Sequence, residues 1–209
     1  MKKWKYSDTT PTLEFEEYYQ GGAGTENVGP LLYSLIKMIR PTNVLEIGFG
    51  YTTPFILKAL EENLIVLFDE NSEPEYFKKG YKPTFTTIDN LSESYPNKSS
   101  IDVIKNLKVD NNIDWILYQK DFQGLAKEIP EQDFVWFDCG GPEEYEAFTK
   151  EYWSICSEYI LFHFTYFKGK PSPSLDNILN NISGKYFRMD IIEPNKYKQG
   201  SLTMFRKLK

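Results

Sequence analysis

Asn43-Val-Leu-Glu-Ile-Gly-Phe-Gly-Tyr-Thr-Thr-Pro54 decides the fold of this 209-residue chain. Val44 to Ile47 reads as a buried strand that runs into a glycine turn and then a helix start. Gly48 and Gly50 allow a tight backbone turn and close approach of its N–H groups to a ligand. Thr53 suits a helix cap, and Pro54 suits the first helical turn. A helix N-terminus beside a bare turn can bind a polar or anionic small molecule. Glu46 stands inside an apolar strand, where a carboxylate is costly without a partner. Two residues before the turn, it is expected to face a ligand carrying donors or positive charge. The plain alternative is a strand-to-helix turn that binds nothing.

Working outward, the strands and helices alternate. Leu31, Leu32, Leu35, Ile36 and Ile39 keep helical spacing ahead of the first strand, and Pro41 ends that helix. Ile56, Leu57, Leu60, Leu64 and Leu67 continue the following helix to about residue 68. The second strand has two candidates, Leu64–Asp69 and Thr84–Asp89. The latter is favoured because it is β-branched and alternating. A helix is expected over 99–109. Trp115–Tyr118 then forms a strand, followed by Asp121 and a short helix. Phe134–Phe137 forms another, followed by Asp138 and a helix that opens at Pro142 with Tyr145, Phe148, Tyr152 and Ile155 as its apolar stripe. Tyr159–Phe162 ends at His163, a helix spans about 174–183, and Tyr186–Ile192 with Ser201–Phe205 form a hairpin. This order specifies an α/β fold: a Rossmann-like, mostly parallel seven-stranded sheet with helices on both faces and an antiparallel edge strand. One domain spans 1–209, with a core over 28–207 and an insertion near 64–82. Residues 1–27 form an N-terminal extension, a candidate lid with Tyr18, Tyr19 and the glycines of 21–24.

The sequence around Glu46 resembles motif I of the class I S-adenosylmethionine-dependent methyltransferases, V-L-E-I-G-x-G-x-G. Val44-Leu45-Glu46-Ile47-Gly48-Phe49-Gly50 is kept, and Thr52 replaces the third glycine. A dinucleotide-binding G-x-G-x-x-G would need glycine where Thr53 stands. The resemblance covers about 28–207 and implies S-adenosyl-L-methionine as cofactor, bound by Glu46, Gly48, Gly50, Tyr51, Thr52, Asp89, Asp121 and Phe122. Asp89, after the second strand, would accept the ribose hydroxyls, although it lies 39 residues beyond Gly50 where a Rossmann spacing is about 20. Asp69 has the better spacing and the worse strand. Asp121 would accept from the adenine amino group, and Phe122 would pack on the ring. Asp138-Cys139-Gly140-Gly141 occupies the place where methyl acceptor and sulfonium meet. Metal-dependent relatives follow the next strand with Asp-Asn; here that place reads His163-Phe164-Thr165, so two hard oxygen ligands are missing and no metal is expected. His163, the chain's single histidine, is the candidate base, with Asp138 orienting it. A satisfied core histidine is the competing reading.

Composition narrows the rest. A net charge of −6 disfavours a general nucleic-acid surface. There is no run of 18 apolar residues for a membrane span and no apolar signal core. Two cysteines make neither a disulfide framework nor a zinc cluster, which suits a cytoplasmic setting. The 16% aromatic content suits a core, and also a pocket for a flat or apolar substrate. Residues 70–83, with Tyr76, Phe77 and Tyr81, could wall an acceptor site or support a homodimer contact. The expected activity is transfer of a methyl group to oxygen or nitrogen of a small-molecule acceptor. The alternatives are a non-catalytic nucleoside-binding module and an NAD-dependent oxidoreductase.

Overall fold

A computed structural model of the chain describes residues 24–65, 80–91, 102, 104–193 and 201–208. Its elements, in chain order, are α1 (Val28–Ile39), β1 (Asn43–Ile47), α2 (Thr53–Leu64), β2 (Thr84–Ile88), β3 (Asp114–Tyr118), β4 (Gln132–Phe137), α3 (Pro142–Tyr152), β5 (Cys156–His163), β6 (Tyr166–Phe167), β7 (Lys170–Pro171), α4 (Pro173–Asn181), β8 (Tyr186–Ile191) and β9 (Leu202–Lys207). Seven strands form one sheet in the order β3-β2-β1-β4-β5-β9-β8, with β6 and β7 as a separate hairpin. Strands β1 to β5 are parallel, and β9 runs antiparallel between β5 and β8. The strand order reverses direction between β1 and β4, so a crevice opens there outside the carboxyl ends.

Period-two alternation divides the core. Val44, Trp136 and Leu161 face one side and pack with Leu32 and Ile36 of α1 and Ile56 and Leu60 of α2. Leu45, Ile47, Val135, Phe137 and Phe162 face the other, against Tyr145, Phe148 and Tyr152 of α3 and Leu175 and Ile178 of α4. The rings of Phe137 and Phe148 stack 4.2 Å apart, and Phe148 stacks on Tyr152 at 4.7 Å. Much of the aromatic surplus is therefore core.

At the amino ends of the strands, the Asp133 carboxylate accepts from the Thr42 N–H and hydroxyl and from the Asn43 N–H, each at 2.8 Å, which ties β1 to β4. Tyr81 lies at this same end, donating its hydroxyl to the Pro41 carbonyl at 2.7 Å. It is remote from the crevice and cannot wall an acceptor site there. Tyr76, Phe77, Asp69 and the candidate lid residues 1–23 lie outside the described residues.

Several boundaries differ from expectation. The strand after α2 is Thr84–Ile88, pairing in parallel with both β1 and β3. Helix α2 ends at Leu64. Over 99–109, the described helical residues are 102, 104 and 105. The short helix expected after Asp121 is a run of turns, since Gly124 adopts φ +82° and breaks the helical path. The two-residue strands β6 and β7 are too short to leave a periodic signal.

Replacing Asp133 with Ala should cost about 3 kcal/mol, because three donors lose a charged acceptor. The check is a lower urea midpoint at unchanged slope; an unchanged midpoint would show that the tie carries no stability.

Candidate active site

Strand parity puts Glu46 on the face covered by α2, in register with Thr87 and Trp136. It is completely buried. Its two carboxyl oxygens meet the Thr52 and Thr53 hydroxyls, each at 2.7 Å. Burial pushes the Glu46 carboxyl up to about 8, with the two hydroxyls pulling down and the Asp138 and Asp89 charges adding to the rise. Glu46 therefore points at the start of α2 and not, as the sequence suggests, into the cavity beside the bend; it fastens β1 to that helix. Thr52 is consumed in the same tie. Thr53, expected as the helix cap, also accepts from the Gly50 N–H at 3.1 Å.

Two further N–H groups of the bend are likewise spent. The Gly48 N–H donates to the Ile88 carbonyl at 3.0 Å, and the Phe49 N–H to Asp89 Oδ2 at 2.7 Å. Gly48 has φ +101°, and a Cβ there would sit 2.3 Å from the Asp138 carbonyl oxygen. Only glycine lets β1 pass the end of β4 so closely. Gly50 has no positive φ, and no described atom lies within 4 Å of a Cβ built on it.

Beside this bend lies a cavity of about 240 Å³ at the carboxyl ends of β1 to β4. Gly48, Asp89, Asp121, Phe122 and Asp138 border it, as the sequence reading requires of binding residues. Glu46, Gly50, Tyr51, Thr52 and His163 do not. Tyr51 instead lies edge-on to Phe55, ring centres 5.0 Å apart. Phe122 is 6% exposed, its ring held edge-on by Phe137, Phe148 and Tyr152. Asp89 accepts from the Phe49 and Leu91 N–H groups, which fixes its carboxylate beneath the cavity. Asp121 accepts from the Gln123 N–H at 2.9 Å.

Asp138 Oδ1 lies 2.7 Å from His163 Nδ1. The pairing was anticipated; the placement of the imidazole was not. His163 has no exposed surface and sits beside Trp136 and Phe164, because it is the last residue of a central strand covered on both faces.

Residues not singled out from the sequence also border it, namely Asn90, Leu91, Lys120, Gln123 and Glu144, as does Cys139 beside Asp138. Glu144 had a readable signal, standing three residues after the helix-capping position, and it does accept from the Gly141 N–H at 2.8 Å. Gly140, at φ +68°, packs against the Glu144 side chain at this helix start and also borders the cavity. Burial and the acids around it push the Cys139 thiol far up, which removes it as a nucleophile near neutrality. Leu91 adopts a left-handed φ of 53° at the cavity lip, strain that a turn under Asp89 imposes.

The cavity therefore offers four carboxylates, Asp89, Asp121, Asp138 and Glu144, against one lysine, Lys120. Its charged groups are mostly acceptors. Among the described residues, no cluster of three His, Cys, Asp or Glu side chains could hold a metal ion, and no helix is long and apolar enough to cross a membrane.

No protein-family model matches the sequence, and no curated protein matches it. Solved structures do. A putative O-methyltransferase from Klebsiella pneumoniae superposes with TM-score 0.60 at 12% identity, over 98% of this chain and 93% of the other. An O-methyltransferase from Bacillus cereus in complex with S-adenosylhomocysteine gives 0.57 at 13% identity, over 97% and 93%. The O-methyltransferase TomG from Streptomyces achromogenes, in complex with S-adenosylmethionine, gives 0.55 at 14%, over 88% and 80%. These likenesses show the fold, that of the Rossmann-like methyltransferases.

Two outcomes test the bend. Gly48→Ala should cost at least about 2–3 kcal/mol through strain and collision, whereas Gly50→Ala should stay within about 1 kcal/mol; equal costs in chemical denaturation would contradict the geometry. In the folded chain Glu46 keeps its proton up to about pH 8, against 4.5 for the ordinary group, so its contribution to stability is complete below 4.5 and is lost as pH rises through 8. A tenfold difference in proton affinity is worth about 1.4 kcal/mol. Glu46→Gln should flatten the fall in urea midpoint between pH 5 and 8; an unchanged slope would mean Glu46 is ionised in the fold.

Proposed function

We propose that the protein is an S-adenosylmethionine-dependent methyltransferase acting on oxygen or nitrogen of a small molecule. The observation that carries this is the donor–acceptor balance of the crevice. The N–H groups of Gly48, Phe49 and Gly50 are consumed internally, and four acidic residues border the space that remains. Phosphates need donors and positive charge, so a dinucleotide or nucleoside triphosphate would meet the wrong lining. A nucleoside with ribose hydroxyls, an adenine amino group, an ammonium and a sulfonium supplies donors and cations where acceptors wait.

Asp89 is placed to accept from ribose hydroxyls, having lone pairs left after its two backbone bonds. Asp121 is the acceptor for the amino group in this reading, and Gly48 borders the cavity where β1 passes the end of β4. Asp138 and its neighbour Cys139 border the end of the cavity nearest β4. The cofactor, when bound, supplies the electrophilic methyl group. The chain's own work is alignment and proton removal. Alignment alone can be worth roughly 7–11 kcal/mol. We infer transfer without a metal, since His163 holds Asp138 and the residues after β5 supply no hard oxygen pair. The acidic charge balance disfavours a nucleic-acid acceptor and so supports a small-molecule one.

Isothermal calorimetry with S-adenosylmethionine, S-adenosylhomocysteine, NAD and ATP tests the reading. The first two should bind and the last two should not. Asp89→Ala should weaken S-adenosylhomocysteine at least about tenfold, or about 1.4 kcal/mol. Binding of NAD in preference to the sulfonium nucleoside would overturn it. Tight binding with no methyl transfer to any acceptor would instead favour a nucleoside-binding module.

A further inference from the structure

The Asp138–His163 pair has one exposed end, and it belongs to the aspartate. The Asp138 side chain keeps 18% of its surface and borders the cavity, whereas the His163 side chain keeps none. His163 Nε2 is buried with no hydrogen-bond partner among the described residues. A proton there would be a buried donor with nothing to accept it, whether the ring were imidazolium or the Nε2–H tautomer. The form with one ring proton, on Nδ1, leaves only a lone pair unpaired at Nε2 and donates its N–H to Asp138 Oδ1 at 2.7 Å. The backbone holds both partners in place: the Asp138 N–H donates to the Ile47 carbonyl at 2.9 Å, and the Tyr145 hydroxyl donates to the His163 carbonyl at 2.6 Å. Among the described residues, nothing donates to Asp138 Oδ2.

A general base must reach the proton it removes, directly or through one water. His163 does not border the cavity; Asp138 does. We infer that Asp138 is the catalytic residue that takes the acceptor's proton, through Oδ2, and that His163 is a positioning residue that fixes Oδ1. This reverses the roles expected from the sequence, and its chemistry rests on the methyltransferase reading above. As an acceptor oxygen forms its bond to the methyl carbon, the carbon–sulfur bond breaks and its electron pair stays on sulfur as a neutral thioether. The acceptor's O–H bond breaks in turn, leaving its electron pair on that oxygen and its proton on Oδ2. The Nδ1–H bond of His163 remains intact throughout and stabilises the carboxylate's geometry.

The experiment has a spectroscopic arm and a kinetic arm. Because the chain has one histidine, ¹⁵N-histidine labelling of the full chain gives unambiguous ring signals. They should report Nδ1 as the ring nitrogen that carries the proton, and Asp138→Ala should shift the Nδ1 signal. An imidazolium or an Nε2–H tautomer would overturn the proposal. In the kinetic arm, phenol and benzylamine serve as acceptor probes with S-adenosylmethionine. Asp138→Asn should lower kcat about 10²–10⁴-fold. His163→Ala should lower it about 10–100-fold, and His163→Asn, which retains a donor near the Nδ1 position, should recover to within about fivefold of wild type with the same pH profile. His163→Asn as slow as Asp138→Asn would make the histidine the base and end the proposal. Calorimetry separates the two levels: a wild type that binds no S-adenosylmethionine defeats the methyltransferase reading, while the ring signals still decide which partner holds the proton.

Discussion

The buried contact of Glu46 with Thr52 and Thr53 is the constraint from which the site follows. A carboxyl group within a central strand has to be satisfied by something, and here the start of α2 satisfies it completely. That contact draws the bend tight. The tightness brings Gly48 against the Asp138 carbonyl, so the ends of β1 and β4 touch at the point where the sheet reverses its order. Three of the bend's N–H groups then turn inward to Ile88, Asp89 and Thr53. What remains for a ligand is the opposite chemistry, a row of carboxylates at successive strand ends.

This arrangement differs from a phosphate-binding bend in one respect that decides its ligand. A phosphate site leaves N–H groups bare at a helix N-terminus. Here a backbone carbonyl and two side chains occupy those of Gly48, Phe49 and Gly50 before a ligand arrives. The same glycine-rich strand–turn–helix can therefore serve anions or cations, and the residues two to seven positions around the turn determine which. Thr53, standing where a dinucleotide-binding turn would need glycine, is one of the groups that closes the donor side.

Much of this was legible in advance, for identifiable reasons. The β-branched alternation of Thr84–Ile88 marked the second strand despite its unusual spacing from Gly50, and it pairs with β1 as expected. The acids after β2 and β4 could be placed at the crevice because strand ends are readable from apolar runs. What could not be read was direction. Whether Glu46 looks towards a ligand or a helix depends on which face α2 covers, a tertiary choice absent from the local pattern. The same holds for His163, whose place at a strand end suggested a reactive group while coverage from both faces buried it. Tyr81 looked like a pocket aromatic because composition carries no information about which end of the sheet a loop serves. The turns after Phe122 replaced a helix because Gly124 takes a left-handed conformation. The aromatic surplus, legible as core or pocket, goes largely to the packing of α3 against the sheet, where Phe122, Phe137, Phe148 and Tyr152 interlock.

The central claim is that an acceptor-lined crevice at the ends of β1 to β4 holds a cationic nucleoside. A crystal structure of the chain grown with S-adenosylhomocysteine tests it most directly. The account predicts the ligand in that crevice, with ribose hydroxyls on Asp89, the adenine amino group near Asp121, and Asp138 Oδ2 facing the open space beyond the sulfur. A ligand bound elsewhere on the chain, or a crevice that stays closed at saturating ligand, would contradict it.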